Sequence, residues 1–131
     1  MSTPRRPAAI ALVLWTLFVW TTRIGNIWND DALGRGEKWG RTALAGSFTV
    51  LAVAVAVALW HRAGWRRSAV TALAAWTVAV WAVRSVGIAT GDHDVAFVAV
   101  HLVLAVVSIA LSLLAVREHE RSSRTLATAD R

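Results

Sequence analysis

The chain has 131 residues, of which 56% are hydrophobic and 17% charged, with a formal net charge of +6. The charges are clustered rather than spread as in a soluble domain, which excludes a soluble nucleic-acid-binding reading of the basic balance. The absence of Cys excludes a disulfide, a thiolate nucleophile and a Cys-ligated metal.

In chain order, Arg5 and Arg6 precede a first apolar stretch from Pro7 to Thr22 that holds no Asp, Glu, Lys or Arg. Three more such stretches follow, Thr42 to Trp60, Ser68 to Val83 and Val95 to Val116. Each approaches the roughly 17 to 25 residues that cross a hydrocarbon core of about 30 Å. Segments such as Val50 to Leu59 are apolar on every side, whereas a surface helix of a soluble protein is apolar on one. The expected fold class is therefore all-α: an integral membrane protein with four transmembrane helices in a single membrane domain, residues 1–131. A secretory leader is not expected at the first span, because no small-x-small cleavage site precedes Arg23.

The connections set the expected orientation. Arg62, Arg66 and Arg67 fill the second one, and Arg117, Arg121 and Arg124 follow the last span. The first and third instead hold Asp30, Asp31, Glu37, Asp92 and Asp94. By the positive-inside rule both termini and the central connection are cytoplasmic, in the cell (plasma) membrane. Residues 117–131, mixed in charge and without apolar periodicity, read as a flexible cytoplasmic tail. The excess of Arg over Lys, with abundant Ala and Val, suggests a high-GC bacterial source.

The chain also repeats itself. Laid over a segment 61 residues later, Arg5 to Asp31 matches Leu12 with Leu73, Trp15 with Trp76, Thr16 with Thr77, Trp20 with Trp81, Arg23 with Arg84 and Ile27 with Ile88. Trp and Arg matches are rare coincidences, so the fold is expected to be a tandem duplication of a two-helix hairpin, repeat 1 about 5–60 and repeat 2 about 66–116. Two hairpins entering from the same side are parallel repeats about a twofold axis along the membrane normal. The matched residues share half of the helix circumference, the half expected to face inward, and Leu14, Leu17, Phe18 and Thr21 fall on the other. The second and fourth spans match weakly, Val53 with Val107 and Leu59 with Leu113 at a spacing of 54.

Few residues point to chemistry. Arg23 and Arg84 are charges near the outer boundary at corresponding positions, where two guanidinium forks could grip one carboxylate or phosphate as an anion or headgroup site. The bland alternative is that each snorkels, or pairs with Asp31 or Asp92 through a bent loop. Thr90 to Asp94, with Asp30 and Asp31, offers ligands for a divalent cation, against the simpler reading of Gly91 as a helix end and Asp92 or Asp94 as a cap. Asp94, His101, Ser108 and Ser112 form a polar stripe on the fourth span, suited to close packing and interhelical hydrogen bonds. His101 reads as packed and hydrogen-bonded rather than as a proton relay. Trp15 and Trp76 lie too deep for an aromatic belt, and Thr16, Thr77 or His101 are the expected partners of their indole N–H groups.

No nucleophile with a base, phosphate-binding Gly loop or metal spacing is present, so no enzyme activity, metal or cofactor is expected. No span holds a carboxylate that could couple protons to transport. The expected function is a non-enzymatic scaffold or accessory protein in the lipid bilayer, assembling through helix faces as a homo-oligomer or with a membrane partner. The alternative is a minimal oligomeric transporter or channel with an Arg-lined outer vestibule.

Overall fold

The computed structural model describes residues 6–129. Four α-helices account for nearly all of them: α1 (Pro7–Trp28), α2 (Arg35–Trp60), α3 (Arg66–Thr90) and α4 (Val95–Ala129). At 1.5 Å per residue the shortest is about 33 Å long. All four are long and apolar enough to cross a membrane. Short connections make the helices run alternately up and down, and α1 packs on α2, α2 on α3, α3 on α4 and α4 on α1 in a closed ring. One end of the bundle carries the connections 29–34 and 91–94. The other carries the start of α1, the connection 61–65 and the end of α4.

Local chemistry sets the helix ends. Pro7 opens α1 with the φ a first turn needs and no N–H to satisfy. The α2 end is a Schellman turn, in which Ala63 N–H donates to Ala58 O and Arg62 N–H to Leu59 O, with Arg62 at a left-handed φ of 51°. Gly91 ends α3 where a Cβ would come within 2.9 Å of both Gly87 O and His93 Nε2, so only glycine fits. Asp94 rather than Asp92 caps α4, its Oδ1 accepting from Phe97 N–H at 3.0 Å.

The inward faces follow the repeat. Ala9, Leu12, Val13, Thr16, Trp20 and Ile27 of α1 are buried, and so are Val70, Leu73, Ala74, Thr77, Trp81 and Ile88 of α3, each 61 residues later. Leu14, Phe18 and Thr21 face outward as expected, while Leu17 is partly covered. Of the five buried residues of α2, Ala45, Phe48, Ala52 and Val55 are matched in α4 by Ala105, Ser108, Ser112 and Ala115 at a spacing of 60, and Ala58 is not. The spacing of 54 suggested by sequence identity is therefore not the structural register. Six residues are about 240° of helix, enough to swap inner for outer face.

Two indole hydrogen bonds tie the seams between hairpins. Trp15 Nε1 donates to Ser108 Oγ at 2.9 Å across α1 and α4, and Trp76 Nε1 donates to Ser47 Oγ at 3.0 Å across α3 and α2. Donors and acceptors are each 61 residues apart. The partners are thus serines of the neighbouring helices, not Thr16, Thr77 or His101. Between the seams Trp20 stacks on Phe48 with centroids 4.0 Å apart and meets Trp81 at 6.2 Å across the diagonal.

The fourth helix does not stop at Val116, where the apolar stretch ends, but continues to Ala129. The segment read as an irregular tail has no Gly or Pro to break the helix. Its hydroxyls bond back one turn, Ser122 to Glu118 O, Ser123 to His119 O and Thr128 to Arg124 O.

Candidate functional site: an arginine-walled vestibule

Arg23 and Arg84 stand in the same local frame, Trp-x-x-Arg-x-x-x-Ile, as Trp20 to Ile27 and as Trp81 to Ile88. In both copies the Trp and Ile are buried. Residues three before and four after share a helix face with the Arg, so those two anchors turn each Arg toward the edge of the interior, where it is half-buried. The two arginines line one cavity of about 210 Å³ between α1, α3 and α4 at the connection end. Its other walls include Phe18, Thr22 and Asn26 of α1, Trp81 of α3, and Val100, His101 and Leu104 of α4.

His101 joins the cavity by a defined tautomer. Its Nδ1 lies 2.8 Å from Phe97 O, and a carbonyl can only accept, so Nδ1 carries the proton. Nε2 then presents a lone pair to Arg23 Nη1 at 3.4 Å. The ring also packs on Phe97, centroids 4.0 Å apart. Arg84 makes no ion pair or hydrogen bond among the described residues, and Arg23 has no carboxylate partner within ion-pairing range. Asp31 and Asp92 are thus not counter-ions to the arginines.

Two further groups shape the site and were not foreseen. Arg41 of α2 stands at the same end of the bundle, and its carboxylate partner is the exposed Glu37 one turn before it. This end of the bundle carries Arg23 of α1, Arg35, Lys38 and Arg41 of α2, Arg84 of α3 and His101 of α4. Trp81 is the other. It is 2% exposed, it lines the cavity, and its indole Nε1 has no hydrogen-bond partner. An orphaned buried donor is costly. Its signal in the sequence was its place in the frame three residues before Arg84.

The remaining candidates separate. Asp94 is the α4 cap, while Ser108 and Ser112 lie inside the bundle, Ser108 on the Trp15 bond and Ser112 donating to Ser108 O at 2.8 Å. Among the described residues no three His, Asp or Glu side chains stand close enough to hold a metal ion. Asp30 instead stabilises its own turn by accepting from Ala32 N–H.

No family model matches the chain, and no curated protein or solved structure is similar to it. The vestibule therefore has to be read from its own chemistry. It brings two guanidinium groups to a space that has no carboxylate among its described lining residues, and that chemistry suits an oxyanion.

Proposed function

We propose that this chain is a membrane-embedded anion-binding protein that holds a phosphate or carboxylate between Arg23 and Arg84. In this reading four spans place both termini and the central connection in the cytoplasm of the cell membrane and the vestibule at its outer face. The two hairpins descend from one duplicated unit. The observation that carries it is the convergence of two half-buried guanidinium groups on one cavity with no carboxylate to balance them.

Binding is favoured over conduction because the cavity walls come only from the connection end. Beyond them Leu12, Phe48, Val55, Val70 and Leu73 are fully buried and fill the middle of the bundle. A scaffold role gains less support, since the Ser108 and Ser112 stripe that could have met an external partner is taken up within the chain. Outward-facing Leu14, Val50, Val83, Val103 and Val106 support the membrane setting, because so apolar an exterior is stable only in lipid.

Two experiments test this. Reporter fusions after Arg67 and after Ala129 should read cytoplasmic and a fusion at Arg35 external; a cytoplasmic signal at Arg35 would overturn the orientation. Inorganic phosphate added to the purified chain in an uncharged detergent should raise its unfolding temperature, since a ligand at 100 times its Kd stabilises by about 2.7 kcal/mol. The rise should vanish in the Arg23→Gln, Arg84→Gln double variant. A wild-type protein indifferent to both phosphate and acetate would contradict the proposal.

A further inference from the structure

The vestibule's lining grades from apolar at Phe18, Val100 and Leu104 to polar at Arg23, Arg84 and Asn26, and this arrangement selects among anions. Phe18, Thr22 and Asn26 form one stripe along α1, each one turn from the next, and all three are exposed. The stripe runs from apolar to polar toward the connection end. Val100 and Leu104 face it from α4, with Leu104 the deeper of the two. The gap between α1 and α4 is thus flanked by Phe18, 63% exposed, and Val100, 57% exposed, on the outside of the bundle. A free ion needs only Arg23 and Arg84. It gains nothing from an apolar sill that opens sideways.

We infer that the anion bound here is the phosphate head of a membrane lipid, which enters sideways between α1 and α4 and leaves its acyl chains on Phe18, Val100 and Leu104. The inference rests on the anion-binding reading above and names its ligand class. A lipid whose only charge is its phosphate is favoured over a zwitterionic one, because Arg23 and Arg84 on the cavity wall repel a trailing ammonium group. The depth order fits as well. The guanidinium groups sit nearer the connection end than Phe18 and Leu104, so a head held by the arginines directs its chains toward the middle of the bundle.

The test uses the full chain in an uncharged detergent and three probes: a short-chain phosphatidate, glycerol phosphate, which has the same head without chains, and a short-chain phosphatidylcholine as a measure of partition. Titration calorimetry should find the phosphatidate bound about tenfold or more tighter than glycerol phosphate and well above the phosphatidylcholine background. Arg23→Gln with Arg84→Gln should abolish binding of both phosphate probes. Phe18→Ser and Val100→Ser, on exposed positions, should bring phosphatidate affinity down toward that of glycerol phosphate. Equal affinity for the two phosphate probes in the wild type would overturn the lipid inference and leave the anion site standing. Failure of both to bind would overturn the two together, and phosphatidylcholine bound as tightly as phosphatidate would overturn the charge selection on which the lipid inference depends.

Discussion

The two ends of the bundle handle positive charge in opposite ways. At the terminal end the chain supplies its own counter-charge: Glu118 of α4 reaches across to the start of α1, its carboxylate accepting from Ala8 N–H at 3.4 Å and Ala9 N–H at 3.2 Å. Those are orphan donors of a first helical turn, and a carboxylate there is favoured by the hydrogen bonds and the helix dipole alike. Burial, and after it the like charge of Arg66, lower the Arg6 guanidinium below its ordinary range, while Glu118 acts in the opposite sense. Arg6 Nη1 and His119 Nε2 remain buried without partners, so the balance there is incomplete, but a carboxylate is present. At the connection end Arg41 is paired with Glu37, but among the described residues no carboxylate lies within ion-pairing distance of Arg23 or Arg84. In the proposed reading, the cations left without a built-in partner at Arg23 and Arg84 are the ones that take an anion from outside.

The frame that holds the ends apart should be the most sensitive to change. Ser108→Leu removes the acceptor of Trp15 and overfills the α1–α4 seam, and is expected to destabilise the protein by about 3 kcal/mol. Val103→Leu on the outward face should stay within about 0.5 kcal/mol. Unfolding titrations of the two in mixed micelles make the check, and equal tolerance would mean that the seam is not closely packed.

Damage to the terminal end should stay at the terminal end. Glu118→Ala leaves two first-turn N–H groups without their acceptor and should cost about 1 to 2 kcal/mol, while phosphate affinity at the other end is unchanged. A fall in phosphate affinity measured at full folding would show that the ends are coupled rather than separate.

The matched seams give a smaller and finer test. Ser47→Ala and Ser108→Ala should each lose about 1 kcal/mol, the worth of one indole hydrogen bond, and the losses should add because the bonds lie on opposite sides of the bundle. Markedly unequal losses would break the equivalence of the two hairpins. Smallest of all should be the effect on stability of Arg23→Gln or Arg84→Gln, within about 0.5 kcal/mol, because each removes a cation that faces like charge.

Much of this architecture is legible in the sequence, and the parts that are not share a cause. The charge-free stretches announce the helices, and the Trp and Arg matches announce which faces of α1 and α3 turn inward, because helical periodicity alone converts spacing into direction. What lies between helices is not encoded in spacing. The Ala and Val of α2 and α4 are interchangeable enough that identity favours a register of 54 over the structural 60, so the serine partners of Trp15 and Trp76 could not be found from it. His101 meets Arg23 across 78 residues, and the Trp81 indole is orphaned only because of how α3 is turned. The continuation of α4 to Ala129 is legible in principle, since no Gly or Pro follows Gly91, although the apolar pattern stops at Val116.

The central claim is that Arg23 and Arg84 act as one site, and a double-mutant cycle on phosphate affinity tests it most directly. Wild type, Arg23→Gln, Arg84→Gln and the double variant are compared at equal folded concentration by titration calorimetry. Each single change should lower affinity about tenfold or more, since a charge-assisted hydrogen bond contributes about 1.5 to 3 kcal/mol, and the double change should add little to either. Lys at either position should restore only part of the loss, because an ammonium holds the charge without the planar fork. Phosphate bound by the double Gln variant as tightly as by the wild type would contradict the account.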